Sequence, residues 1–169
     1  MVILALGTNL GDCAANLRRA IGELGRYGEV VAVSGVYGSD AWGFESGNRF
    51  MNIVLTYRTG LSPEALLDCT HEIERRMGRT AKSTDGGYKD RIIDIDLIDY
   101  DGMTLSTERL TLPHPLMQER NFVLYPLCDV APEWVHPLFG LTAAELKRRS
   151  PDSSPLVLLD VELSDGVTA

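Results

Sequence analysis

Apolar positions along the chain switch between a period of two and a period near 3.6, and the switches lay out the elements. Val2 to Leu6 is a short continuous apolar run ended by Gly7, which suits a buried central strand. Asp12 stands where a helix N-cap belongs. Leu17, Ile21 and Leu24 recur behind it on one helical face, and Gly25 and Gly28 offer stops. Val30 to Tyr37 reads as a valine-rich strand. Phe50 to Arg58 alternates strictly, with Met51, Ile53, Leu55 and Tyr57 on one face and Phe50, Asn52, Val54 and Thr56 on the other. Ser62 as N-cap, Pro63 at the first helical position and Glu64 in the first turn open a second helix. Its stripe is Leu66, Thr70, Ile73 and Met77, and Gly78 ends it.

Elsewhere the pattern is less regular. Gly38 to Arg49 is polar and glycine-bearing, with no period of its own. Arg79 to Asp90, RTAKSTDGGYKD, predicts a long exposed loop of the kind that often serves as a lid or binding loop. Arg91 to Tyr100, RIIDIDLIDY, returns to strand. After Pro113 the chain is helical or irregular. Ser150 to Pro155 resembles a linker, and Leu156 to Val161 suits a late edge strand. The order is β-α-β-β-α-loop-β. Two successive strands between the helices favour an α+β, ferredoxin-like architecture, a mostly antiparallel sheet with helices packed on it. One domain over residues 1–169 is expected, with 150–169 a C-terminal extension of no assigned role.

Charge narrows the function classes. Lys plus Arg is 16 against 24 for Asp plus Glu, a net charge of −8. So acidic a chain lacks the basic face that a nucleic-acid backbone demands, and no nucleic-acid partner is expected; a local basic pocket for a phosphate ligand stays open. No apolar run approaches the roughly 20 residues that span a bilayer. MVILALGTNLGD lacks the basic start of a signal peptide, so a cytoplasmic protein with no membrane partner is expected. Cys13, Cys69 and Cys128 lie far apart, against a disulfide framework or a structural zinc site. Neither a P-loop nor a Rossmann glycine motif occurs.

The densest chemistry is Ile93-Asp94-Ile95-Asp96-Leu97. Residues two apart on a strand share a face, about 6.6 Å apart. Asp94 and Asp96 therefore project together while Ile93, Ile95 and Leu97 face the core. Side-by-side like charges are unfavourable in a sheet. Either they form a solvated face on an edge strand, or a hard cation such as Mg²⁺ offsets them and binds substrate phosphates too. Arg79, Lys82, Lys89 and Arg91 lie just before the pair, as phosphoryl transfer requires. Strict alternation would put Arg91 on the face opposite Asp94. Phe50 and Asn52 share a face as well, a ring beside an amide that can donate and accept, which suits a planar heteroaromatic ligand. Phe122 is a candidate opposing ring.

The motifs ALGTNLGD, AWGF, RFMN, EIERRMGR, DRIIDIDLIDYD and LTLPHPLMQERNFVLYPLCDVAP follow one another in this order. In them the chain resembles the 6-hydroxymethyl-7,8-dihydropterin pyrophosphokinase family, over roughly residues 2 to 140. The resemblance implies transfer of diphosphate from ATP to a pterin alcohol, giving AMP and the pterin diphosphate, a step in folate biosynthesis; a monomer is expected. It implies that Asp94 and Asp96 hold two Mg²⁺ ions, and that Arg79 and Arg91 contact the phosphates. Phe50 and Phe122 would sandwich the pterin, with Asn52 as its hydrogen-bonding amide. Thr8 and Asn9 would lie in the turn beside it, and Ser39, Ala41 and Trp42 in the segment along its edge. On the nucleotide side the resemblance puts His71, Glu74, Lys82 and Ile95, together with His114 and Arg120. Ala81 stands where a second loop arginine is common, Tyr88 where a tryptophan is frequent, and His71 where glutamine is. On the residues alone, a non-catalytic binding module and a two-metal phosphodiesterase remain as rivals.

Overall fold

The N-terminal apolar run becomes the middle of a sheet. A computed structural model describes residues 1–40, 47–78 and 90–164. Along them the elements are β1 (Val2–Thr8), α1 (Cys13–Leu24), β2 (Glu29–Val33), β3 (Val36–Ser39), β4 (Phe50–Arg58), α2 (Pro63–Arg76) and β5 (Asp94–Tyr100). There follow β6 (Leu105–Ser106), β7 (Thr111–Leu112), a 3-10 turn (Met117–Glu119), α3 (Asn121–Val130), α4 (Ala143–Arg149) and β8 (Leu156–Leu159). The sheet runs β5-β1-β4-β3-β8, with β2 also on β4, and its pairings are antiparallel. Each βαβ unit is thus split by a strand of the other, which is the expected ferredoxin-like α+β arrangement.

Alternation along the strands divides the core between the two faces. On one, Leu4, Leu6, Ile53, Leu55, Ile95 and Leu97 pack with Leu17 and Leu24 of α1 and Leu66 and Ile73 of α2. On the other, Ile3, Val54 and Ile98 pack with Met117 and with Val123, Leu124 and Leu127 of α3. Each such side chain contributes about 1.5–3 kcal/mol when fully buried, several times the worth of an exposed ion pair. The helix starts follow the caps: Asp12 accepts from Ala15 N (3.0 Å) and Ser62 from Ala65 N (3.2 Å). Beyond α2, Gly78 turns the chain at φ 102°, a conformation that favours glycine.

Two strand expectations need correction. The stretch Val30 to Tyr37 is two strands, broken at Ser34–Gly35. There Ser34 Oγ accepts the Val54 N–H (3.0 Å) that a continuing backbone would have taken, while Gly35 N donates to Asp129 Oδ2 (3.1 Å). The strand expected from Arg91 begins at Asp94 instead. Among the described residues no helix is long and apolar enough to cross a membrane.

Candidate active site

Because β5 is the outer strand on its side of the sheet, Asp94 and Asp96 stand at a border. They line two cavities, one over the sheet face and one along the free edge of β5. Across the ladder they sit opposite Gly7 and Ala5, the smallest residues of β1. Arg91, released from the strand's alternation, turns to the aspartates, its Nη1 3.0 Å from Asp94 Oδ2. Burial, the charge of Asp94 and the charge of Glu74 push the Asp96 carboxyl up to about 8, against the pull of Arg120 and Arg91. A carboxyl so raised invites a cation. Among the described residues no group of three or more His, Cys, Asp or Glu is placed to hold a metal. The two hard oxygen donors fit Mg²⁺, which takes few protein ligands and completes its shell with water and phosphate oxygens.

The first cavity lies over the sheet face beside the aspartates. Phe50, Asn52, Arg120 and Phe122 line it with the aspartates, and Gly7 and Ala5 contribute to its lining from β1. A Cβ on Gly7 would stand 3.4 Å from Asn52 Oδ1 and 3.8 Å from Phe50 Cδ1, so glycine keeps this space open. Asn52 is 4% exposed. Its amide nitrogen donates to Ser39 Oγ (2.8 Å) and Tyr37 O (3.1 Å). Both donors are thereby used within the protein, and the amide offers a ligand its oxygen. Asn52 is therefore left with an acceptor only, where the sequence suggested an amide that donates and accepts at once. Arg120 Cζ lies 5.7 Å from the centroid of the Phe122 ring, close enough for the cation to stiffen the ring's position.

The second cavity is more polar. His71 and Glu74 of α2, Ile95 and Leu97 of β5, and His114 line it with the aspartates. Its floor is the unpaired edge of β5, whose polar backbone groups must be satisfied without another strand. Glu74 Oε1 accepts from Ile95 N (2.8 Å), and His114 N donates to Ile98 O (2.9 Å). Burial pulls the His114 imidazole down to about 4, Arg120 adding to the effect and Asp94 opposing it, so the ring is neutral at pH 7. Since His114 Nδ1 accepts from Leu116 N (3.2 Å), the proton sits on Nε2.

The structure therefore gathers Ser39, Phe50, Asn52, Arg91, Arg120 and Phe122 around one side of Asp94 and Asp96. It gathers His71, Glu74, Ile95 and His114 around the other. Arg120, expected with the nucleotide group, stands with the rings. Thr8, expected in the turn, is the last residue of β1, and Asn9 follows it; both are buried and used internally, Thr8 Oγ1 accepting from Asn16 Nδ2 (3.1 Å). Asn9 Nδ2 donates to Asp90 Oδ1 (2.8 Å) and Asn9 Oδ1 accepts from Arg91 N (2.7 Å). Ala41, Trp42, Arg79 and Lys82 lie outside the described residues, as does most of the expected lid. Arg109, Leu110 and Thr111 also line the second cavity, unforeseen because nothing in their spacing marks them. The nearest signal is the acidic pair Glu64 and Asp68 on α2, whose carboxylates Arg109 joins.

An antiparallel α+β domain with an aromatic cavity and a polar cavity meeting at two carboxylates has the form of a two-substrate transferase. The model of the 7,8-dihydro-6-hydroxymethylpterin-pyrophosphokinase family matches residues 3–132, and the chain belongs to that family. A 2-amino-4-hydroxy-6-hydroxymethyldihydropteridine pyrophosphokinase of Porphyromonas gingivalis is 45% identical over 139 residues, 81% of this chain and 94% of the relative. One of the same name from Aquifex aeolicus is 37% identical over 146 residues, 86% and 89% respectively. The crystal structure of wild-type Plasmodium falciparum HPPK-DHPS with SDX-DHP superposes with a TM-score of 0.70 at 16% identity, a likeness of fold. It covers 88% of this chain, which spans 44% of that longer one.

Proposed function

We infer that the chain transfers a diphosphate from ATP to 6-hydroxymethyl-7,8-dihydropterin, releasing AMP and forming the pterin diphosphate of folate biosynthesis. One observation carries this reading: a ring-lined cavity and a polar cavity share Asp94 and Asp96, so two substrates held there meet at the carboxylates. The pterin stacks between Phe50 and Phe122, and an N–H on its edge donates to Asn52 Oδ1. Its hydroxymethyl group then points to Asp94 and Asp96. ATP lies along the β5 edge, where neutral His114 donates from Nε2. Arg91, with only 13% of its side chain exposed, sets a fixed positive charge beside the reacting phosphates. Arg79 and Lys82 add further cations.

Asp94 and Asp96 would hold two Mg²⁺ ions, which supply neutralisation of phosphate charge and a lowered pKa at the pterin hydroxyl. The hydroxyl oxygen attacks the β-phosphorus in line and gives up its proton to solvent, the bond from that phosphorus to the bridging α-phosphate oxygen breaks, and AMP departs. The protein's part is to align the two substrates and to keep charge fixed around them. The net charge of −8 speaks against a nucleic-acid partner. The test is AMP release from ATP and Mg²⁺ with and without the pterin alcohol. Release should require the pterin and match the pterin diphosphate formed. Formation of ADP, or hydrolysis indifferent to pterin, would overturn the reading.

A further inference from the structure

The family match ends at residue 132, yet the chain beyond it meets two elements that carry lining residues of the first cavity. The first is the start of α3, the helix that carries Phe122. Arg120 occupies the N-cap position and makes no side-chain cap. The cap comes from 31 residues further on: Asp152 Oδ2 accepts from Asn121 N (2.9 Å), and Asn121 Nδ2 donates back to Asp152 O (2.9 Å). Asp152 is itself fixed, its Oδ1 accepting from Ser154 N (2.9 Å) and its N donating to Ser150 Oγ (3.2 Å). A carboxylate at a helix start takes an orphan N–H and complements the helix dipole.

The second point is β3. β8 pairs with it in antiparallel register, Leu156 opposite Ser39 and Leu158 opposite Tyr37. Ser39 Oγ and Tyr37 O are the acceptors that orient the Asn52 amide. One short segment therefore touches the supports of both the ring and the amide on either side of the cavity.

We propose that residues 150–159 are a positioning strap for the pterin cavity, with Asp152 the positioning residue that sets Phe122 by capping α3. The proposal rests on the reading of the first cavity as the pterin site. Asp152 touches no substrate and acts through the helix start, so its removal should loosen the ring without altering the phosphoryl chemistry.

Asp152→Ala should raise the KM for the pterin alcohol about tenfold, the scale expected for loss of a helix cap. Its kcat and its KM for ATP should stay within about twofold of wild type. Asp152→Asn keeps an oxygen that can accept from Asn121 N and should recover most of the loss. In a Phe122→Ala background Asp152→Ala should add almost nothing, since the ring through which it acts is gone. An unchanged pterin KM in Asp152→Ala, or equal losses with and without Phe122, overturns the strap while leaving the cavity assignment intact. Wild-type protein that fails to bind the pterin alcohol in calorimetry overturns the assignment, and the strap with it.

Discussion

The two cavities on either side of Asp94 and Asp96 are built on opposite principles. The first lies on a sheet face, where side chains meet side chains. Its polar member, Asn52, has both amide donors satisfied by Ser39 and Tyr37, so the oxygen is aimed before any ligand arrives. The second lies along a sheet edge, where backbone meets side chains. Glu74 and His114 cover the Ile95 N–H and the Ile98 carbonyl that no strand pairs. A face can offer rings and a preset acceptor, which suits a rigid heterocycle. An edge has polar groups in abundance, which suits a charged, flexible triphosphate. Alternation along β5 gives the same two carboxylates to both.

The largest break in this comparison is removal of the element that the cavities share. Asp96→Ala should lower turnover by roughly a hundredfold or more, the scale lost when one preorganised charge-stabilising group is deleted. Pterin affinity should hardly move, because Phe50, Asn52 and Phe122 are untouched. Near-normal AMP production by this variant in Mg²⁺ would mean that the aspartates are not where the cavities do their work.

Phe122→Ala should separate the two sides. Calorimetry should show pterin binding weakened by about 1–3 kcal/mol, from lost ring area and stacking, with ATP affinity little changed. Equal losses for both ligands would make Phe122 general packing and dissolve the distinction. Gly7→Ala sharpens the same contrast more gently. Its methyl would meet Asn52 Oδ1 at 3.4 Å and Phe50 at 3.8 Å, ordinary contacts that cost the fold little but fill space next to the amide. The pterin KM should rise severalfold while the ATP KM stays put; a drop in thermal stability with unaltered kinetics would count against an open cavity at this position.

The smallest effect concerns stability. The Asp96 carboxyl, raised to about 8 from the ordinary 3.8, keeps its proton in the folded protein at pH values where the unfolded chain has lost it. Its contribution to stability is complete below the ordinary value and is lost as pH rises toward the folded one. Asp96→Asn carries no such proton. Melts without divalent cations should put the variant a few degrees above wild type at pH 8, with a smaller gap at pH 5. A gap that ignores pH would show that the carboxylates are better compensated than their burial and mutual repulsion require.

How much of this was legible in the chain depends on how far apart the partners lie. Phe50 to Arg58 and the helix from Ser62 to Gly78 could be read because period and caps are local, and the pairing of Asp94 with Asp96 on one face needs only alternation. The break at Ser34–Gly35 was hidden because its cause, a serine hydroxyl competing for the Val54 N–H, lies in another strand. Arg91 could not be given its position until the strand was seen to start at Asp94. Asn52 could be found but not its polarity, which depends on two acceptors from β3. Arg109 and Asp152 were silent for the same reason: each matters through a group about 30 to 40 residues away along the chain. The resemblance supplied what period could not, namely His71, Glu74, Ile95 and His114 as one group.

The open edge of β5 carries a hazard along with its chemistry. Ile92 to Ile98 reads IIDIDLI, which without its two acids would be an uninterrupted β-forming apolar heptad beside an unpaired backbone, the composition and setting that recruit strands from other molecules. The two acids proposed to hold the metal would also act as gatekeepers against self-assembly. Neutralising both at once, as Asp94→Asn with Asp96→Asn, should therefore give a protein that is dead and also prone to form oligomers and precipitate on refolding. The pressure to keep acids at these two positions would then survive even in a descendant that had abandoned the reaction.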